Sequence, residues 1–128
     1  MSAPDKKDTT VIPAPFEARG EDRGGVFLVA VRGELDLGTA PQLEELLEPA
    51  LASGDSPVAI DLAGCEFIDS TGIALIVRAW QTLDTDGGPG FALCGLDDQV
   101  RRLLRITGLE SSIPIHPSAD EALAKLRG

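Results

Sequence analysis

The sequence predicts an α/β fold, a mixed and mostly parallel five-stranded sheet with about four helices, gathered mainly on one face. Three observations predict it. Short apolar runs such as Val26–Val31 and Val58–Leu62 alternate with segments that carry a single apolar stripe at helical spacing. Several of those segments open on a capping pattern, and glycine- or proline-rich turns separate them. The resulting order, β-β-α-β-α-β-α-β-α, calls for parallel strands joined by right-handed crossovers.

Residues 1–10 are polar and without periodicity, and they read as a mobile tail ahead of one domain over 11–128. Pro13 and Pro15 around Phe16 suit a short edge strand. Glu21–Gly25 reads as the turn into Val26–Val31, whose unbroken apolar character suits burial on both faces. Thr39-Ala40-Pro41-Gln42 has the form of a capping box, with Thr39 at the N-cap and Gln42 reaching back. Leu43, Leu46, Leu47, Ala50 and Leu51 supply the stripe of that helix, and Pro49 predicts a kink or an early end near Glu48.

Val58–Leu62 is the third strand, followed by a loop through Gly64 and Glu66 to Asp69-Ser70-Thr71-Gly72. Ile73–Trp80 is helical and apolar nearly all round except at Arg78, which points to burial against the sheet. Asp84–Gly90 is a turn and Phe91–Cys94 the fourth strand. Asp97 caps a helix with Val100, Leu103 and Leu104 inside, stopped by Gly108 with Leu109 folding back on Leu104. Ile113-Pro114-Ile115 reads as a last edge strand. Ser118–Glu121 is a second capping box, before a helix that buries Ala122, Leu123 and Leu126.

Composition narrows the function. A chain of 128 residues, 43% hydrophobic and only 4% aromatic, builds one aliphatic core. A net charge of −10 repels phosphate polyanions, so neither a nucleic acid nor an anionic membrane is an expected partner. The longest apolar run has six residues, too few to span a bilayer, and the first residues do not read as a signal peptide. Cys65 and Cys94 read as reduced core cysteines of a cytoplasmic protein, with no metal site expected.

In such a sheet, sites gather at the carboxyl ends of the parallel strands. That rim would hold Glu34 and Asp36, then Glu66, Asp69 and Ser70, then Asp97 and Asp98, and finally His116. Ser70 falls at a strand-to-helix turn, at or next to the N-cap, where backbone N–H groups and the helix dipole favour a negative group. An ordinary cap fits the same spacing. A nucleophilic-serine enzyme does not fit, because the G-x-S-x-G elbow is absent and the only imidazole, His116, lies on a remote segment. A phosphoaspartate receiver would need a lysine near its last strand, and the only lysine beyond position 7 is Lys125, in the terminal helix. Gly87-Gly88-Pro89-Gly90 is a tight turn at the opposite end from the rim rather than a phosphate loop, so no cofactor is expected. Arg101, Arg102 and Arg105 read as a solvated basic patch.

Three segments resemble a known family: Gly33-Glu34-Leu35-Asp36 with Thr39-Ala40, Phe67–Gly72, and Arg101–Leu109. Over about residues 11–127 the chain is similar to bacterial anti-anti-sigma factors, the single-domain form of the STAS family. The resemblance implies a non-enzymatic regulator in which Ser70, flanked by Asp69, Thr71 and Gly72, is phosphorylated by an anti-sigma factor that is itself a serine kinase. Unphosphorylated protein would bind that factor and release its sigma factor. Phosphorylation would end the binding, and a phosphatase would restore it. Glu34, Asp36, Thr39 and Ser70 are the partner-binding positions so implied. The alternative is a non-switching interaction module of a larger signalling assembly, with Ser70 only a helix cap.

Overall fold

The structure, a computed structural model, describes residues 15–128, so the expectations for Pro13 and for the tail over 1–10 lie outside the described residues. Its elements run β1 (Glu17–Arg23), β2 (Val26–Leu35), α1 (Ala40–Ser53), β3 (Val58–Ile68), α2 (Ser70–Leu83), β4 (Phe91–Cys94), α3 (Asp98–Ile106), β5 (Ile115–His116) and α4 (Ala119–Arg127). The five strands lie side by side in chain order. β1 is antiparallel to β2, and the other pairings are parallel. This is the predicted order and class.

Period-2 alternation sorts the strand side chains into two layers. Val29 and Val31, Val58, Ile60 and Leu62, and Phe91 and Leu93 face one side, where α1, α2 and α3 cover them. Val26, Leu28, Ala59, Ala92 and Cys94 face the other, against Ala122 and Leu123 of α4. The small residues on this second face let one short helix sit close to the sheet. The helices therefore do lie mainly on one face.

Several boundaries depart from the sequence reading. β1 runs through Glu21–Arg23, and the turn shrinks to Gly24-Gly25. Both glycines have positive φ, 64° and 92°, as a two-residue hairpin turn with the right-handed strand twist requires. β2 and β3 both run beyond their apolar runs, to Leu35 and Ile68, because Arg32–Leu35 pairs with Gly64–Ile68. The expected loop through Gly64 and Glu66 is thus strand. Helix α1 does not end at Glu48: Pro49 lies on its exposed face, where the Glu45 carbonyl it leaves unpaired can meet water. β5 begins after Pro114 rather than at Ile113, whose side chain is buried in the core. At α3 and α4 the predicted caps are present, Asp97 accepting from the Val100 amide and Ser118 from the Glu121 amide. The Leu109 amide donates to the Leu104 carbonyl and the Gly108 amide to that of Arg105, which completes the expected helix stop.

Candidate functional site

The site follows from one register. Leu35 and Ile68, the last residues of β2 and β3, are parallel partners, so the loops after them leave the sheet together. The Asp69 amide donates to the Leu35 carbonyl at 3.1 Å and brings the second loop back across the first. Gly72 completes the approach, because a Cβ there would stand 2.8 Å from both Ile68 Cγ1 and Leu35 Cγ. Only a glycine lets the first turn of α2 sit so low on the strand ends.

Asp69, in extended conformation, is the N-cap of α2. Its Oδ1 accepts from the amides of Thr71 at 2.9 Å and Gly72 at 3.1 Å. Its Oδ2 accepts from the Leu37 amide at 3.1 Å, across 32 residues of chain. Ser70 is therefore the first helical residue and not the cap. It is exposed, and among the described residues no hydrogen bond engages its hydroxyl. The aligned peptide dipoles of α2 place partial positive charge beside it.

The loop over 36–39 is held mostly by its own side chains. Asp36 Oδ1 accepts from the amides of Gly38 and Thr39 at 3.0 and 3.1 Å. The Thr39 hydroxyl donates to the Glu34 carbonyl at 2.7 Å and accepts from the Asp36 amide at 2.9 Å. Thr39 has helical backbone angles and makes no side-chain cap, so the expected capping box with Gln42 is absent. The hydroxyl already has partners upstream, and proline in the first turn removes one of the orphan donors that a cap would satisfy. Glu34 projects to solvent from β2. Among the described residues no ion pair involves Glu34, Asp36 or Asp69.

The remaining rim residues do not all join this cluster. Asp97 is occupied as a cap. His116 lines a groove with Ala124, Lys125 and Leu126 of α4, on the other face of the sheet, so it is not paired with Ser70. Among the described residues no group of three or more His, Cys, Asp or Glu is placed to hold a metal ion, and no helix is long and apolar enough to cross a membrane. Both cysteines are free and buried. Burial first, and Asp61 second, push the Cys94 thiol up to about 12; burial also raises that of Cys65.

Two features escaped the sequence reading. Leu37, on the loop after β2, and Phe67, next to last in β3, are 74% and 48% exposed near the Ser70 turn. Phe67 also borders a groove of about 310 Å³ between β3 and α3, with Glu66, Gln99, Arg102 and Ile106 on its walls. The signal available was the position of Phe67 in the pair before the Asp69 turn. The basic patch also divides: Arg101 and Arg105 both bind Glu110, each at 3.2 Å, while Arg102 lines the groove.

Comparison with known proteins agrees with this architecture. The family model described as the STAS domain matches residues 18–122. An anti-sigma-B factor antagonist of Staphylococcus aureus is 34% identical over 94 residues, covering 73% of this chain and 86% of that protein. One from Staphylococcus epidermidis is 35% identical over the same shares. The crystal structure of an anti-sigma factor antagonist from Mycobacterium paratuberculosis superposes with a TM-score of 0.81 at 32% identity, covering 91% of this chain and all of that one. The phosphorylated Bacillus cell fate determinant SpoIIAA shares the fold alone, with a TM-score of 0.66 at 19% identity over 88% of this chain and 100% of its own. With most of its length inside the family match and relatives above 30% identity on the same fold, the chain belongs to the STAS domain family.

Proposed function

We propose that this protein is an anti-sigma factor antagonist, a binding regulator whose contact with an anti-sigma factor is switched by phosphorylation of Ser70. The observation that carries the reading is the division of labour at the turn. Asp69 makes the capping bonds, which leaves the exposed Ser70 hydroxyl free of that duty. A role for Ser70 as cap alone has no support in this arrangement. The names of relatives at 34% and 32% identity point the same way.

The partner is an anti-sigma factor with serine kinase activity, working in the cytoplasm where ATP is at hand. Its active site transfers the γ-phosphoryl group of ATP to Ser70 Oγ. A P–O bond forms to the serine, the bond to the leaving ADP breaks, and the hydroxyl proton is lost. The product carries about −1.5 to −2 additional charges at neutral pH. The helix N-terminus accommodates that charge, while outward it raises the negative potential of an already acidic rim and intrudes on the docked surface. The contact face includes Ser70, the exposed Glu34, and the loop held by Asp36 and Thr39. A phosphatase returns the protein to its binding form by hydrolysing the phosphoserine.

Incubation with candidate anti-sigma kinases and ATP, with the phosphate located by mass spectrometry, tests the reading. The expected result is phosphate on Ser70 and loss of binding. Ser70→Ala should bind and resist inactivation, and Ser70→Asp should bind weakly. Phosphate at another residue, or equal affinity of wild type, both variants and phosphoprotein, rejects it.

A further inference from the structure

Among the described residues, one side-chain hydrogen bond joins the loop after β2 to the turn after β3, and it is made by Asp69. One carboxylate thus serves two segments. Its Oδ1 holds the first turn of α2 through Thr71 and Gly72, and its Oδ2 holds the Leu37 amide. The Ile73 amide is also occupied, donating to the Asp69 carbonyl at 2.9 Å. The first turn of α2 therefore offers a group on Ser70 no unoccupied amide beyond that of Ser70 itself.

We propose that Asp69 is a positioning residue that ties the loop over 36–39 to the Ser70 turn, and that a phosphate on Ser70 loosens this tie and lets Leu37 move. The inference rests on the phosphorylation proposed above and assigns its structural consequence. A phosphate on the adjacent residue repels the Asp69 carboxylate and competes with it for the amides of Thr71 and Gly72. When the carboxylate turns away, its Oδ2 leaves the Leu37 amide. The rest of the loop keeps its own bonds through Asp36 and Thr39, so the change falls on Leu37. Among the described residues Leu37 is the most exposed large hydrophobic side chain, at 74%, so its displacement alters the apolar surface that a partner meets. The modification then acts at a second loop as well as through its own charge.

Amide hydrogen exchange followed by NMR on the full chain tests this without any partner. The proteins compared are the wild type, Ser70→Ala, Asp69→Ala, and wild type carrying phosphoserine at position 70, introduced during synthesis. The expected result is exchange at Leu37 faster by about tenfold or more in Asp69→Ala and in the phosphoserine protein, with Ser70→Ala like wild type. Val29 and Ile60 amides report that each protein is folded, and the phosphoserine arm decides the matter if Asp69→Ala does not fold. Equal Leu37 exchange in wild type and phosphoserine protein overturns the proposal, as does an unprotected Leu37 amide in wild type. Failure of the unmodified wild type to bind any anti-sigma factor overturns the proposed function instead, and the exchange comparison decides the tie by itself.

Discussion

Gly72 of α2 lies so close to Leu35 of β2 that an added Cβ would stand 2.8 Å from the Leu35 Cγ. Leu35 and Ile68, the two side chains it would meet, are buried in the core and cannot swing into solvent. The glycine thus sets the height of the Ser70 turn above the strand ends. Gly72→Ala is expected to destabilise the fold by about 1–3 kcal/mol, the usual range for overpacking a filled core. Urea unfolding monitored by circular dichroism measures this, and an unchanged midpoint would show that α2 can shift at no cost.

Asp36 calls for two substitutions, because its carboxylate both carries charge and closes its own loop. Asp36→Asn keeps a carbonyl oxygen for the amides of Gly38 and Thr39, and its stability should stay within about 0.5 kcal/mol of wild type. Asp36→Ala removes that acceptor and is expected to cost about 0.5–1.5 kcal/mol. If Asp36 pairs with a basic group of the partner at a desolvated contact, Asp36→Asn also weakens binding by about 2–5 kcal/mol. Asp120→Ala, in the first turn of α4, should leave binding unchanged. Equal calorimetric affinities of Asp36→Asn and Asp120→Ala for the partner would make Asp36 a loop residue only.

Among the described acidic residues, Glu110 is the one whose titration the structure shifts. The bond from Arg105 chiefly, and that from Arg101 with it, hold its carboxyl below the usual glutamate range. A depressed carboxylate stabilises the fold above the unfolded pKa of about 4.3 and loses that contribution as pH falls through the folded value. Glu110→Gln should therefore be less stable than wild type at pH 7, with the gap closing in acid. Arg105→Ala should move the Glu110 titration, followed by carbonyl NMR, back towards the ordinary range. A gap that stays constant from neutral to acid pH contradicts this.

Pro49 interrupts α1 on its solvent face without ending it. Pro49→Ala supplies an amide for the Glu45 carbonyl. The expected gain is about 2 kcal/mol, from the ~3 kcal/mol that an interior proline costs less up to ~1 kcal/mol of extra freedom in the unfolded chain. A melting temperature equal to or below that of wild type would mean that the proline is compensated by a contact specific to its ring.

The elements themselves were legible wherever their determinants lie within a few residues of each other. Asp97 and Ser118 each cap a helix by accepting from the amide three residues downstream, and the Gly108 stop closes on Leu104 and Arg105, as local spacing implies. The alternation at Val58, Ala59 and Ile60 likewise assigns side chains to opposite faces without reference to the rest of the chain. The same locality explains why Asp69-Ser70-Thr71-Gly72 could be recognised as a turn into a helix.

Tertiary structure decided what depends on two distant segments meeting. Glu34 and Cys65 are polar or small in the sequence, yet both lie in strands, because β2 and β3 pair along their extensions. Thr39 satisfies the composition of a cap, but its hydroxyl is drawn to the Glu34 carbonyl and the Asp36 amide. Glu110 draws in two arginines that pattern alone assigns to solvent. The Asp69 bond to Leu37 spans 32 residues and exists only because Leu35 and Ile68 share a register. A hydrogen bond within a turn follows from the few dihedrals between its partners, whereas one between loops requires the sheet to have set their ends side by side.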